Sequence, residues 1–121
     1  MKTSSAKAKG RTLQQLVRDK IIALLKPYGI EPADVKSTGM GQSGEDIQLS
    51  SYARCLMPIT VECKSHKSMA IYKLYEQAQQ YSELGEPLLV VKANHKKPLA
   101  VVDLDYYLSL EQKRIKYEEE N

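Results

Sequence analysis

The sequence has no tryptophan and no phenylalanine, so its larger aromatics, eight tyrosines, all carry a hydroxyl. Rings of that kind suit the edge of a cleft better than a dry core. Cysteine is scarce too: Cys55 and Cys63 are the only two. They form neither a disulfide framework nor a CxxC pair, and with His66 and His95 they lack the spacing of a zinc site. Both thiols are expected to be reduced and structural, which implies an intracellular, cytoplasmic setting. No apolar run approaches the roughly 18 residues a membrane span needs. No apolar stretch follows the basic start within signal-peptide reach, so no membrane partner is expected. Charge of one sign is also in short supply. Lys and Arg total 18 against 15 Asp and Glu, a net charge of +3. That permits a nucleic-acid partner without demanding one.

What is present is enough for one domain. A chain of 121 residues buries about two-thirds of its unfolded surface. Its 42% hydrophobic and 27% charged content is that of a globular protein. Residues 1–11 carry Lys2, Lys7, Lys9 and Arg11 and no acid. They read as a flexible basic tail, a solvated terminus or an arm along phosphates. Residues 12–121 read as the single folded domain.

The periodicities predict a mixed α/β order. Leu13, Leu16, Val17, Ile21, Leu24 and Leu25 have helical spacing, with Thr12 as N-cap and Lys26-Pro27 and Gly29 as the stop. Residues 35–38 suit a short strand, followed by a loop with three glycines, Gly39, Gly41 and Gly44. Residues 46–50 and 58–64 alternate polar and apolar. Ile47, Leu49, Ile59, Val61 and Cys63 should face one side of a sheet, and Asp46, Gln48, Thr60, Glu62 and Lys64 the other. Residues 51–57 suit a hairpin-type connection. A second helix is expected over 68–84 with Ser68 as its cap and Gly85 after its end, then strands over 88–92 and 99–102. Asp103 caps a last helix. This order implies a central mixed sheet with packed helices, an antiparallel meander first and a helical crossover later.

The informative constellation is Asp46, followed sixteen positions later by Glu62-Cys63-Lys64. If the two strands pair around a centre near Arg54, Asp46 lies opposite Glu62 and Gln48 opposite Thr60. Directly paired side chains have Cβ atoms about 4.5–5.5 Å apart. Two carboxylates that close repel unless a cation lies between them, and together they suit a hard divalent ion such as magnesium. Lys64, two residues beyond Glu62, projects from the same face and can stabilise charge on a phosphate. Glu-x-Lys alone is a common solvated strand face; the matching register of Asp46 is what lifts it. Such a set is what metal-dependent phosphodiester hydrolysis uses. The glycines before Asp46 would let a nucleic-acid backbone approach closely.

Gly44-Glu45-Asp46-Ile47, then Ile59-Thr60-Val61-Glu62-Cys63-Lys64, then Glu76-Gln77-Ala78 resembles the PD-(D/E)xK nuclease superfamily, and within it the small Holliday-junction resolvases and related phage endonucleases. The likeness runs from about Gly10 to Leu110. It implies a restriction-endonuclease-like three-layer α/β fold and a magnesium-dependent endonuclease, with manganese able to substitute. A phage-encoded chain would work in the host cytoplasm. The resemblance gives Asp46, Glu62 and Lys64 metal and catalytic roles, and gives Gln77 that of orienting the Lys or the substrate. Gln77 with Tyr81 also matches a Gln-x-x-x-Tyr signature of one branch, and at i and i+4 they share a helix face. Resolvases usually carry a Glu on the first helix; here Gln14 and Gln15 stand there. A neutral amide acting through water, Glu45 as a substitute metal ligand, or fewer ions are the open alternatives. The resemblance also implies a Ser on the scissile phosphate, with Ser37, Thr38 and Ser43 as candidates and Ser43 the one in the loop.

Further DNA contacts are expected from Lys7, Lys9, Arg11, Lys67, Lys73 and Tyr81. His66, and His95 with Lys96 and Lys97, read first as turn residues. Tyr75 reads as a packing residue. The expected partner is DNA, branched in the leading reading, cut by a homodimer because two nicks need two sites. The alternatives are a restriction-type or replication-linked nicking enzyme of the same fold, and a DNA-binding module whose metal site has decayed.

Overall fold

The structure, a computed structural model, describes residues 3–38, 44–65 and 70–120, and among these it holds the five expected strands and four α-helices, one more than expected. The elements are α1 (Thr3–Leu25), β1 (Val35–Ser37), β2 (Ile47–Leu49), α2 (Ser51–Leu56), β3 (Ile59–Ser65), α3 (Ile71–Ala78), β4 (Glu86–Lys92), β5 (Leu99–Val101) and α4 (Leu104–Glu120). The strands form one sheet in the order β1-β2-β3-β4-β5. β1, β2 and β3 are antiparallel neighbours, with Val35 paired to Leu49 and Ile47 to Val61. β3 and β4 run parallel from Ile59↔Glu86 to Ser65↔Lys92. β5 returns antiparallel, pairing Val90 with Ala100. The expected meander and crossover are therefore both present, and α3 lies in the crossover because parallel neighbours need a long connection.

Helices flank both faces of the sheet. Leu13, Val17, Ile21 and Leu25 repeat every four residues on α1, and all are buried against Val35, Ile47, Leu49, Ile59, Val61, Cys63 and Val90. On the other face Leu89 and Val91 pack with Ala78, Ile71, Leu74 and Tyr75. β4 thus feeds alternate residues to opposite layers, as a strand covered on both sides must. Tyr75 has the packing role expected of it.

Three local expectations are corrected. The basic segment expected as a flexible tail is helical from Thr3. Its Ala and Lys residues are good helix formers, and Gly10 costs only about 1 kcal/mol. Thr12 is accordingly interior rather than an N-cap, and its hydroxyl donates to the Ala8 carbonyl at 2.8 Å. Residues 51–56 form α2 instead of a plain connection. Ser50 caps it, its Oγ accepting from the Ala53 N–H at 3.1 Å while donating to Asp34 Oδ1 at 2.7 Å. The helical stretch expected over 68–84 is α3, starting at Ile71, followed by a 3₁₀ turn over Gln79–Tyr81. Ser68, the expected cap, lies outside the described residues.

Gly85 has a packing reason. A Cβ there would meet the Pro58 carbonyl at 2.7 Å, because the next N–H, that of Glu86, donates to the same carbonyl at 2.9 Å. That contact starts the β3–β4 pairing. Asp103 caps α4 as expected, accepting from the Tyr106 N–H at 2.9 Å. Among the described residues no helix is long and apolar enough to cross a membrane.

Candidate active site

Asp46 stands directly before β2, and Glu62 and Lys64 lie on β3. Ile47 pairs with Val61, so one step outward on each strand sets Asp46 across from Glu62. Alternation turns Ile47, Val61 and Cys63 into the core under α1 and turns Asp46, Glu62 and Lys64 to the opposite face. The sheet thus brings together the three residues that the sequence pattern singled out, in the anticipated register.

Asp46 is held by backbone on both sides. Its Oδ2 accepts from the Cys63 N–H at 2.8 Å. Its carbonyl accepts from the Thr38 N–H at 2.9 Å and from the Thr38 Oγ1 at 3.3 Å. Thr38 was a candidate for a phosphate contact; here it fixes the backbone of the carboxylate residue. Lys64 Nζ lies 3.5 Å from Glu62 Oε1.

The electrostatics of the pair are unusual. Burial, then the neighbouring Asp46 charge and a hydrogen bond shared with it, push the Glu62 carboxyl up to about 7, against the downward pull of Lys64. A carboxylate that is buried beside another carboxylate is harder to ionise, so Glu62 holds its proton to higher pH than a free glutamate. Burial also pushes the Cys63 thiol up, which fits an inert structural cysteine.

Glu62 is ordinary in the unfolded chain, at 4.5, and raised in the folded one to about 7. Its contribution is fully present below pH 4.5 and is lost as pH rises through about 7. A shift of this size corresponds to at most about 3 kcal/mol, and solvent screening at the cleft reduces it to ~1–2 kcal/mol. In metal-free protein the urea midpoint should therefore fall between pH 5 and 8 by more in the wild type than in Glu62→Gln. Parallel curves for the two proteins would refute the raised Glu62 carboxyl.

The donor set fits a magnesium ion. Among the described residues no group of three or more His, Cys, Asp and Glu is assembled as a metal cluster. Magnesium, however, is commonly held by one or two carboxylates with several waters retained. Burial and then the Asp46 charge raise Glu62; a cation between the two carboxylates would relieve the part that comes from Asp46.

Glu45, expected as a further metal ligand, is a correction. It is 7% exposed, and its two oxygens accept from Arg54 Nη2 at 3.0 and 3.1 Å. Arg54 Nη1 also donates to the Ile59 carbonyl at 2.9 Å. The pair ties the entry of β2 to α2 and β3. Adjacent residues of an extended chain point to opposite sides, so Glu45 and Asp46 diverge.

The remaining candidates are spread out. Gln14 is buried and Gln15 exposed, so Gln14 is the amide that faces inward from α1. Gln77 is exposed on α3 and makes no hydrogen bond to Lys64 among the described residues. Tyr81, half-buried, belongs to the 3₁₀ turn rather than to the same α-helix. Lys7, Arg11 and Lys73 are exposed. Lys9 donates to Asn94 Oδ1 at 2.9 Å, joining α1 to the turn after β4. Ser43, Lys67 and His66 lie outside the described residues. His95 is an exposed turn residue with φ +62°. Arg54 and the Cys63 amide escaped the sequence reading. A lone Arg beside a buried acid gives a weak signal, and a backbone amide gives none.

Compared with known proteins, the chain matches no family model, no curated protein and no solved structure.

Proposed function

We propose that this protein is a magnesium-dependent endodeoxyribonuclease of restriction-endonuclease-like fold, acting on branched DNA such as a four-way junction. The observation that carries the reading is the Asp46–Glu62–Lys64 group, set on one face of adjacent antiparallel strands, with Lys64 Nζ 3.5 Å from Glu62 Oε1. The five-stranded mixed sheet with helices on both faces supports it, as does the sequence resemblance to junction-resolving nucleases.

The roles follow from chemistry. Asp46 and Glu62 would hold the ion, which supplies positive charge against the scissile phosphate and acidifies a water. The Cys63 N–H orients Asp46, so one carboxylate oxygen is fixed and the other remains for binding. Lys64 places an ammonium where negative charge grows on the phosphorus oxygens in the transition state. Lys7, Arg11 and Lys73 are exposed cations available to duplex phosphates. Two nicks on a symmetric junction would need two copies of this site.

A second reading has one observation in its favour. Gln14 is buried at a first-helix position where the resembled nucleases carry a Glu. A DNA-binding module with a decayed metal site is the form that reading takes. One assay separates the two: a labelled four-way junction and a linear duplex, incubated with the protein with and without magnesium. Magnesium-dependent cutting of the junction in preference to the duplex is the expected result. Binding of both DNAs with no cutting under any divalent ion would overturn the enzyme and leave the binding module.

A further inference from the structure

Among the described residues the last helix, α4, buries none of its side chains, although Leu104 at its start lines a cleft with Ile71, Tyr72 and Tyr75 of α3. Leu104, Leu108 and Ile115 are 68%, 52% and 48% exposed, and their spacing of four and eleven residues puts them on one face. Glu111 lies on the same stripe, between Leu108 and Ile115. The helix is about 25 Å long at 1.5 Å per residue.

An apolar groove elsewhere is equally unfilled. It runs between α1 and β5, with a volume of about 630 Å3. Leu16, Leu24, Met57, Leu88 and Ala100 wall it, and Lys20 and Lys97 supply its charges; no acid lines it. Leu16 and Leu24 are 37% and 58% exposed. The charges of helix and groove are complementary. α4 carries Asp105, Glu111 and Glu118 to Glu120 against Lys113, Arg114 and Lys116, and its Arg114 is already engaged by Glu111 and Glu118.

The sheet separates this helix from this groove. The start of α4 is fastened on the α3 side. Val101 packs there with Leu89 and Val91, and Asp103 and Leu104 line one cleft with Ile71 and Tyr75 of α3. The groove is on the α1 side, under Leu88 and Val90. A chain's own α4 is thus rooted on the wrong face to fill its own groove, whereas a second copy can bring an α4 to it.

We propose that α4 of one copy docks in the α1–β5 groove of a second copy, and reciprocally, closing a two-fold dimer. β5 is an edge strand, and both the groove wall and the root of α4 belong to that edge. A two-fold axis beside it generates two identical contacts and leaves no unpaired surface, as closed symmetry requires. The pairing buries the Leu104–Leu108–Ile115 stripe and brings the net-acidic α4 to the groove lysines. It does not depend on the proposed nuclease activity, and its test uses no cleavage.

The test is sedimentation equilibrium on the full chain. The wild type should run at twice the 13.7 kDa chain mass. Leu108→Glu/Ile115→Glu in the helix and Leu16→Glu/Leu24→Glu in the groove change exposed positions and should leave the circular dichroism spectrum unchanged. Each should raise the dimer dissociation constant on the order of 100-fold or more, the scale for charge placed in an interface centre. The decisive arm is a mixture. Helix variant plus groove variant retains one intact helix–groove contact, so it should form heterodimers at concentrations where each alone is monomeric. A wild-type monomer up to 200 µM, a groove variant as dimeric as the wild type (direct α4–α4 pairing), or a mixture that stays monomeric would each overturn the proposal.

Discussion

Asp46→Asn should abolish junction cleavage while leaving the chain folded. The amide keeps an oxygen for the Cys63 N–H, which donates to Asp46 Oδ2 at 2.8 Å in the wild type, so the backbone geometry of the strand end has no reason to change. What is lost is the negative charge that would share the ion with Glu62. Loss of one preorganised electrostatic group costs about 10²–10³ in rate, and loss of the ion itself costs more, so the expected fall is at least ~10³-fold. DNA affinity should stay within a few-fold, because the exposed cations at Lys7, Arg11 and Lys73 are untouched. The substitution has a second signature. With the Asp46 charge gone, one of the causes raising Glu62 disappears, so the metal-free variant should be no less stable than the wild type at pH 8. Single-turnover cutting and a urea titration measure both. Cleavage at the wild-type rate would sink the site assignment, and a lower urea midpoint at pH 8 would refute the electrostatic account of the pair.

Lys64→Ala should cost about 10²–10³ in single-turnover rate and only a few-fold in DNA binding. Its ammonium matters most when the phosphate gains charge, which is differential binding of the transition state. The ammonium also lies 3.5 Å from Glu62 Oε1 and pulls the Glu62 carboxyl downward. Removing it raises that carboxyl further, so the acid limb of the pH–rate profile should move to higher pH. Lys64→Arg keeps the charge and should restore the position of that limb even where the rate stays low. A rate loss with an unmoved limb would separate Lys64 from Glu62. An unchanged rate would remove Lys64 from the reacting centre altogether.

The part of this site that could be read from the chain is the part that rests on alternation. Asp46, Ile47, Glu62 and Lys64 sit in runs whose polar and apolar residues alternate, and a period of two assigns faces without any knowledge of neighbours. One pairing centre then sets Asp46 against Glu62. The buried stripe of α1 and the cap at Asp103 were legible for the same reason, since both are written within a turn or two of helix.

Glu45 was not legible. Its neighbour Asp46 is turned to the carboxyl pair, yet Glu45 is committed to Arg54. That commitment exists only because Ser50 starts a short helix that carries Arg54 back over the strand entry. Nothing in six residues of sequence announces a helix strongly enough to foresee it. The same holds for residues 3–11. Their charge suggests a solvated tail, but Lys9 meets Asn94, 85 positions away, and no local pattern encodes a contact between segments that distant. The fate of α4 is a question of the same kind. The helix itself was expected from the sequence, but its exposed stripe was not read there. Whether the sheet places a matching groove on the same side or the far side depends on strand order and on which face the end of β5 packs against, and both arise from long-range packing rather than from the spacing of residues along the helix.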